Sequence, residues 1–138
     1  MTDQTGALAQ LRLLDPWSAQ VLDALATERL RQIEGEGWTS DHDDTHNTGD
    51  MARAASCYAR LAAVQAREQA LTGASEEPDA PVNFAVPVDW PWADEWWKPK
   101  NAAQNLKRAG ALIVAEMARR LRAVDAKYAA ADLQKAQS

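Results

Sequence analysis

Apolar residues recur at intervals of three and four along most of this chain, and that period commits it to helices. Val21, Leu22, Leu25, Ala26, Leu30 and Ile33 form one such stripe, Met51, Ala54, Ala55, Tyr58, Leu61 and Ala62 a second, and Leu106, Ala109, Ile113, Met117, Leu121 and Val124 a third. The expected fold class is all-α: a small bundle of three main helices, each turning its stripe into one core. Leu8, Leu11 and Leu14 add a short N-terminal helix over residues 1–14. One domain is expected over residues 1–138, because ~100 to 200 residues normally make one.

The helix boundaries are written in short polar signals. Asp15-Pro16 starts the first main helix, since Asp accepts from the free amides of a first turn and Pro fits its first position. Gly35 and Gly37 end it. Thr48 is the expected N-cap of the second main helix and Gly73 its close; Asn101 is the expected N-cap of the third. Gly110 lies inside the third stripe, where a missing side chain permits a close helix crossing. Residues 126–138 either continue that helix or fray.

Two stretches break the helical period. The first, "EGEGWTSDHDDTHNTGD" from Glu34 to Asp50, holds both histidines of the chain, with Trp38 to Asn47 read as loop. The second is a long Trp/Pro-rich loop over residues 74–100. It begins with an exposed linker, "ASEEPDAP", and carries Pro81, Pro87, Pro91 and Pro99, which exclude a long helix and disfavour a central strand. Its core, "WPWADEWWKP", holds Trp90, Trp92, Trp96 and Trp97, four of the six tryptophans. So aromatic a loop is not a solvated tether, and the expectation is that both loops meet at one end of the bundle and share a pocket.

The chemistry of these loops leaves alternatives open. His42, Asp43, Asp44, His46 and Asp50 are side chains that bind divalent cations, carboxylates favouring magnesium or manganese and imidazole zinc or manganese. Asp44, His46 and Asp50 are the candidate metal ligands, with Mg or Mn as the candidate cofactor. Against this, Asp41, Asp43 and Asp44 are also common turn and cap residues. The indoles offer stacking faces for bases, or a hydrophobic lid, or an oligomer interface where Trp is enriched. Lys98, Lys100, Lys107 and Arg108 surround the start of the last helix, whose free amides favour an anion. Ligand contact is thus expected at Trp38, His42, Asp43, Asp44, His46, Trp90, Trp92, Trp96, Trp97, Lys98 and Lys107.

Composition excludes several classes. A net charge of −5 argues against sequence-independent binding of duplex nucleic acid. The single cysteine, Cys57, excludes an intramolecular disulfide and a cysteine-based zinc cluster. No apolar run reaches the ~20 residues of a membrane helix, and the start lacks the basic region of a secretory signal, so a cytoplasmic location is expected.

The strings "ERLRQIEGEGWTSDHDDTH", "GDMARAASCYA", "WPWADEWWKP" and "KRAGALIVAEMARRL" together resemble a group of short, mostly uncharacterised phage and prophage proteins, over about Glu28 to Leu121. More distantly, the layout is similar to the MazG-like all-α nucleotide pyrophosphohydrolases, with Glu28, Arg29 and Gln32 matching an ER-x-x-Q string. That resemblance implies a helical homo-oligomer, a nucleotide ligand contacted by Arg29 and Gln32, and, if phage-encoded, the host cytoplasm. Where that superfamily holds magnesium by paired acidic motifs, this chain has Asp50 followed by Arg53 and Ala54, and Glu116 in the last helix. Three functions follow as expectations. The first is a phage-type nucleotide-binding protein, by analogy one that sequesters a host nucleotide-derived defence signal. The others are a metal-dependent pyrophosphohydrolase using Asp43, Asp44, His46 and Asp50, and a Trp-mediated protein-interaction module.

Overall fold

Asp15 starts the first main helix as its side chain dictates: Oδ1 accepts from the Ser18 amide at 3.1 Å, and Pro16 occupies the first turn. The computed structural model describes residues 4–73 and 85–137. In order it contains α1 (Gln4–Leu14), α2 (Pro16–Gly35), α3 (Ser40–Asp43), α4 (Asp50–Thr72), a 3-10 turn (Asp94–Trp96) and α5 (Ala102–Gln137). No strand occurs among the described residues, so the fold is all-α. The linker read over residues 74–81 lies outside the described residues.

α4 and α5 form the centre. Gln65 donates to the Lys100 carbonyl at 2.8 Å and accepts from Asn105 Nδ2 at 2.9 Å, while Asp50, at the other end of α4, lies in the field of Arg119. The two helices therefore run antiparallel. Their contact is built from small residues, with Ala54, Ala55, Ala62, Ala109, Ala111 and Ala115 all buried around Leu112 and Tyr58. Alanine faces let backbones approach closely, and the large apolar residues are left for other surfaces.

This reverses the expected orientation of two stripes. On α5 only Ala109 of the six expected core residues is buried, whereas Met117 is 61% and Leu121 68% exposed. Leu106, Ile113 and Val124 are exposed as well. On α2 the buried residues are Ala19, Glu28 and Gln32, and Val21, Leu22 and Leu30 face outward. Leu8 and Leu14 of α1 are also exposed. The physical reason is that two faces of α5 carry apolar residues, and the alanine face is the one that meets α4.

Other boundaries shift in instructive ways. Gly35 stays helical, and Gly37 takes the left-handed turn at φ 74°. Gly49, not Thr48, is the N-cap of α4, at φ 83° and without a side-chain cap, because the chain must turn there through a conformation that disfavours a Cβ. The Asn101 cap is present, its Oδ1 accepting from the Gln104 amide at 2.9 Å, and α5 continues without a break to Gln137.

α2 crosses α5 at Gly110, where an added Cβ would lie 2.6 Å from Leu25 Cδ2. A side chain there must push aside the flexible, partly buried end of Leu25, and a branched one has the least room. Gly110→Val should therefore lower unfolding free energy in urea by about 1–3 kcal/mol, the usual cost of overpacking; unchanged stability would contradict this account of the crossing.

Candidate functional site

The histidine/aspartate loop is held to the bundle by its own acids. Trp38 N donates to the Gln32 carbonyl at 2.9 Å, and Thr39 caps the single turn of α3 by accepting from the His42 amide at 3.3 Å. Asp43, only 1% exposed, pairs with Arg29 of α2. Its neighbour Asp44 turns the other way and accepts from Arg122 Nε of α5 at 3.0 Å. Adjacent aspartates thus tie the loop to two different helices.

The histidines point to a common space. His42 stacks on Trp38, with ring centres 6.2 Å apart and planes within 8°. His46 Nδ1 bonds to Asp50 Oδ2, and the same oxygen accepts from Trp92 Nε1 at 2.9 Å. Trp92 lies edge-on to His46, with centres 5.5 Å apart, and edge-on to Trp38, with centres 6.0 Å apart. The two loops therefore meet, through Asp50, the first residue of α4.

The four tryptophans of the second loop divide by role. Trp90 and Trp97 are buried against Tyr58, at 5.6 and 4.7 Å between ring centres, and belong to the core. Trp92 is half-buried and Trp96 is 43% exposed, with Lys98 Nζ 5.4 Å from its ring centre. Trp90, Trp92 and Trp96 line the cavities here, whereas Trp97 is not among the residues that line them.

Those cavities form a cleft in three parts. An aromatic chamber of about 230 Å³ is lined by Glu36, Trp38, His42, His46, Met51, Trp92 and Trp96. Next to it is a neck of about 30 Å³, which shares Glu36, Trp38, Trp92 and Trp96 with the chamber and adds Arg31, Gln32, Lys98 and Arg108. Arg31 and Arg108 then also line a cationic cavity of about 250 Å³, with Glu28, Lys100, Gln104 and Lys107. Gln32 is 2% exposed, and its Oε1 has no hydrogen-bond partner. A polar atom buried in this way costs free energy unless something donates to it.

Charge in the cleft is balanced locally. Burial pushes the Glu28 carboxyl up, but hydrogen bonds from Arg31 and the charges of Arg31, Arg108 and Lys107 outweigh it, leaving the group below the usual carboxylate range. Asp50 behaves alike: burial raises it, and the bonds from Trp92 and His46 bring it below its ordinary value. Burial raises the Cys57 thiol, which keeps it protonated and unreactive.

Several expected contacts are relocated. Asp43 is paired with Arg29 Nη2, although Arg29 Nη1 is buried without a partner, and Asp44 belongs to Arg122; neither aspartate lines the cleft. The expected metal set of Asp44, His46 and Asp50 is not gathered, and no group of three His, Cys, Asp or Glu among the described residues is placed to hold an ion. Trp38, His42, His46, Trp90, Trp92, Trp96, Gln32, Lys98 and Lys107 do line it. Arg31, Glu36, Met51 and Gln104 were missed in sequence. The i, i+3, i+4 spacing of Glu28, Arg31 and Gln32 was the available signal, since it puts all three on one face of α2.

No protein-family model matches the chain, and no curated protein or solved structure matches it either.

The Asp50 junction makes a pH prediction. A carboxyl whose folded value is depressed contributes stability that is present above its unfolded value and is lost as pH falls through the folded one. Unfolding free energy should therefore fall as pH drops below about 4, and Asp50→Asn should show a shallower acid limb in urea melts between pH 3 and 7. Superimposable profiles would remove Asp50 from the junction.

Proposed function

We propose that this protein binds a nucleotide-type ligand in the three-part cleft. The base stacks in the chamber of Trp38, His42 and Trp92, and phosphate occupies the cavity of Arg31, Lys100, Lys107 and Arg108. The observation that carries this reading is that an aromatic space and a cationic one adjoin a common neck, sharing walls with it, and that four cations line the latter beside a single carboxylate although the chain as a whole is acidic. Aromatic stacking is tolerant of base identity and contributes ~1 to 3 kcal/mol per base. Binding is favoured over magnesium-dependent pyrophosphate hydrolysis because the candidate acids are engaged, Asp43 with Arg29, Asp44 with Arg122, and Glu116 with Arg119 and Arg120. The phage-type role, withholding a host nucleotide-derived signal, extends this reading.

Calorimetry against cyclic di- and trinucleotides, ADP-ribose derivatives and ordinary NTPs tests it. At least one should bind, and Trp92→Ala should weaken it about tenfold or more, the lower half of the stacking range. Absence of heat with every member sinks the reading. Release of pyrophosphate from dNTPs at a catalytic rate with magnesium or manganese would replace it with the hydrolase.

The outward stripes support a homo-oligomer. The accessible surface is 9839 Å², whereas a monomer of this mass is expected to expose roughly 7,100 Å². Obligate interfaces cover ~2,000 to 5,000 Å² over both partners, or ~1,000 to 2,500 Å² of each chain, so one such interface removes much of the excess, and the exposed second half of α5 contributes the rest. A second copy of the chain fits the area, with Ile113, Met117, Leu121 and Val124 of α5 and Trp17 and Val21 of α2 at the contact. Sedimentation equilibrium should give a dimer or larger assembly, and the pair Met117→Glu and Leu121→Glu a folded monomer. A wild-type monomer at ~100 μM would refute the assembly, since obligate interfaces persist well below that concentration.

A further inference from the structure

We infer that the free part of α5 pairs with the same part of a second copy as a parallel, in-register coiled coil. Such a coil presupposes the homo-oligomer proposed above and fixes its direction and register. The first observation is a seam. From Val114 onward apolar residues alternate at three and four, through Met117, Leu121, Val124, Tyr128 and Ala131. That is the a/d pattern of a coiled coil carried through three heptads, with Val114, Leu121 and Tyr128 at a and Met117, Val124 and Ala131 at d. The five large residues of the seam are each at least 41% exposed, while Leu112 and Ala115, which are buried, lie across the helix from it. Helix propensity explains a helix in this alanine-rich segment but has no preference for where its large residues fall. Of the large apolar residues beyond Ala115, only Leu133 falls outside the line.

The seam also has a defined beginning. One heptad before Met117 stands Gly110, and there the space is filled by Leu25 of the chain's own α2. Glu28 lies in the field of Lys107, so α2 runs antiparallel to α5, and its exposed Trp17 and Val21 head toward the first layers of the coil. Beyond it the described residues supply no cover, and every residue from Ala123 to Gln137 is exposed.

The second observation is charge, and it names the occupant. Flanking the seam, the g positions hold Arg120 and Lys127 and the e positions Asp125 and Asp132. In a parallel in-register pair each g side chain meets the e residue five further along the other strand. Arg120 then faces the partner's Asp125, and Lys127 faces the partner's Asp132, on both sides of the coil. Arg120 bonds Glu116 through Nε at 3.2 Å and is still exposed, so it can reach across. Antiparallel strands would instead set g against g, with Arg120 against the partner's Lys127. The pattern is complementary to itself in one direction only, and a second copy of this helix is what satisfies it. Both α5 starts, and with them both cationic cavities, then lie at the same end of the assembly.

Disulfide trapping at ~100 μM, well above the range where obligate interfaces dissociate, tests the direction in a Cys57→Ala background, which removes the only native thiol. Ala131→Cys should close to a covalent dimer under mild oxidation and open with reductant, because parallel strands bring the two positions within the ~7 Å that a disulfide spans between Cα atoms. Ala130→Cys, on the far side of the helix, should stay unlinked; equal linking at both positions overturns the register. In an antiparallel coil residue 131 faces the partner's Val114 and lies ~25 Å from its own counterpart. A sedimenting dimer that links only when Val114→Cys joins Ala131→Cys therefore overturns the direction and leaves the assembly standing, whereas a monomer overturns both. Charge exchange gives a second readout with Cys57 in place. Asp125→Lys/Asp132→Lys and Arg120→Glu/Lys127→Glu chains should each self-associate about tenfold or more weakly than wild type, and regain its affinity when mixed one to one. Variants that dimerise as tightly alone as together would overturn the pairing.

Discussion

One carboxylate oxygen holds the cleft together. Asp50 Oδ2 receives Nδ1–H from His46 and Nε1–H from Trp92, so a single atom at the start of α4 fastens two loops that lie more than forty residues apart. Its position is set by Gly49, whose left-handed turn aims the first residue of α4 back toward the loop that precedes it. Without that junction Trp92 has no polar anchor and His46 no fixed ring orientation. The aromatic chamber is therefore a consequence of where one aspartate sits, and the buried tryptophans Trp90 and Trp97 hold the second loop on Tyr58.

The polarity of α2 belongs to the same design. A helix that buried its leucines against α5 would present aliphatic side chains to the cleft. Here the inward face carries Glu28 and Gln32 beside Leu25 at the Gly110 crossing, with Arg31 on the adjoining wall, while Val21, Leu22 and Leu30 point away. Glu28 and Gln32 are isolated from water at a cost in solvation, offset for Glu28 by Arg31 and left unmet at Gln32 Oε1. Proteins retain such atoms where something other than stability selects them.

How far the sequence announced this differs from element to element. The starts at Asp15 and Asn101 and the close at Gly73 were legible because each is a local hydrogen-bonding device whose partners lie within four residues. The inward face of α4 was legible too, since its alanines and Tyr58 leave no competing stripe. On α5 periodicity gave the helix but not the face: it weighs Leu121 above Ala115, while close packing against an alanine-rich neighbour prefers the smaller residue. The meeting of the two loops was anticipated from composition, yet the partition of its residues was not. Nothing local in "HDDTH" says that Asp43 turns to Arg29 and Asp44 to Arg122, because both partners are distant in the chain.

α5 runs 36 residues, about 54 Å at 1.5 Å per residue, and every residue from Ala123 to Gln137 is exposed while the first third is walled in by α4 and α2. A single unbroken helix thus contains backbone amides that open only with the whole fold and others that fray by themselves. The gradient between them is a ruler along the molecule. Whatever docks on the outer half must slow solvent exchange there first, and so declares its footprint turn by turn.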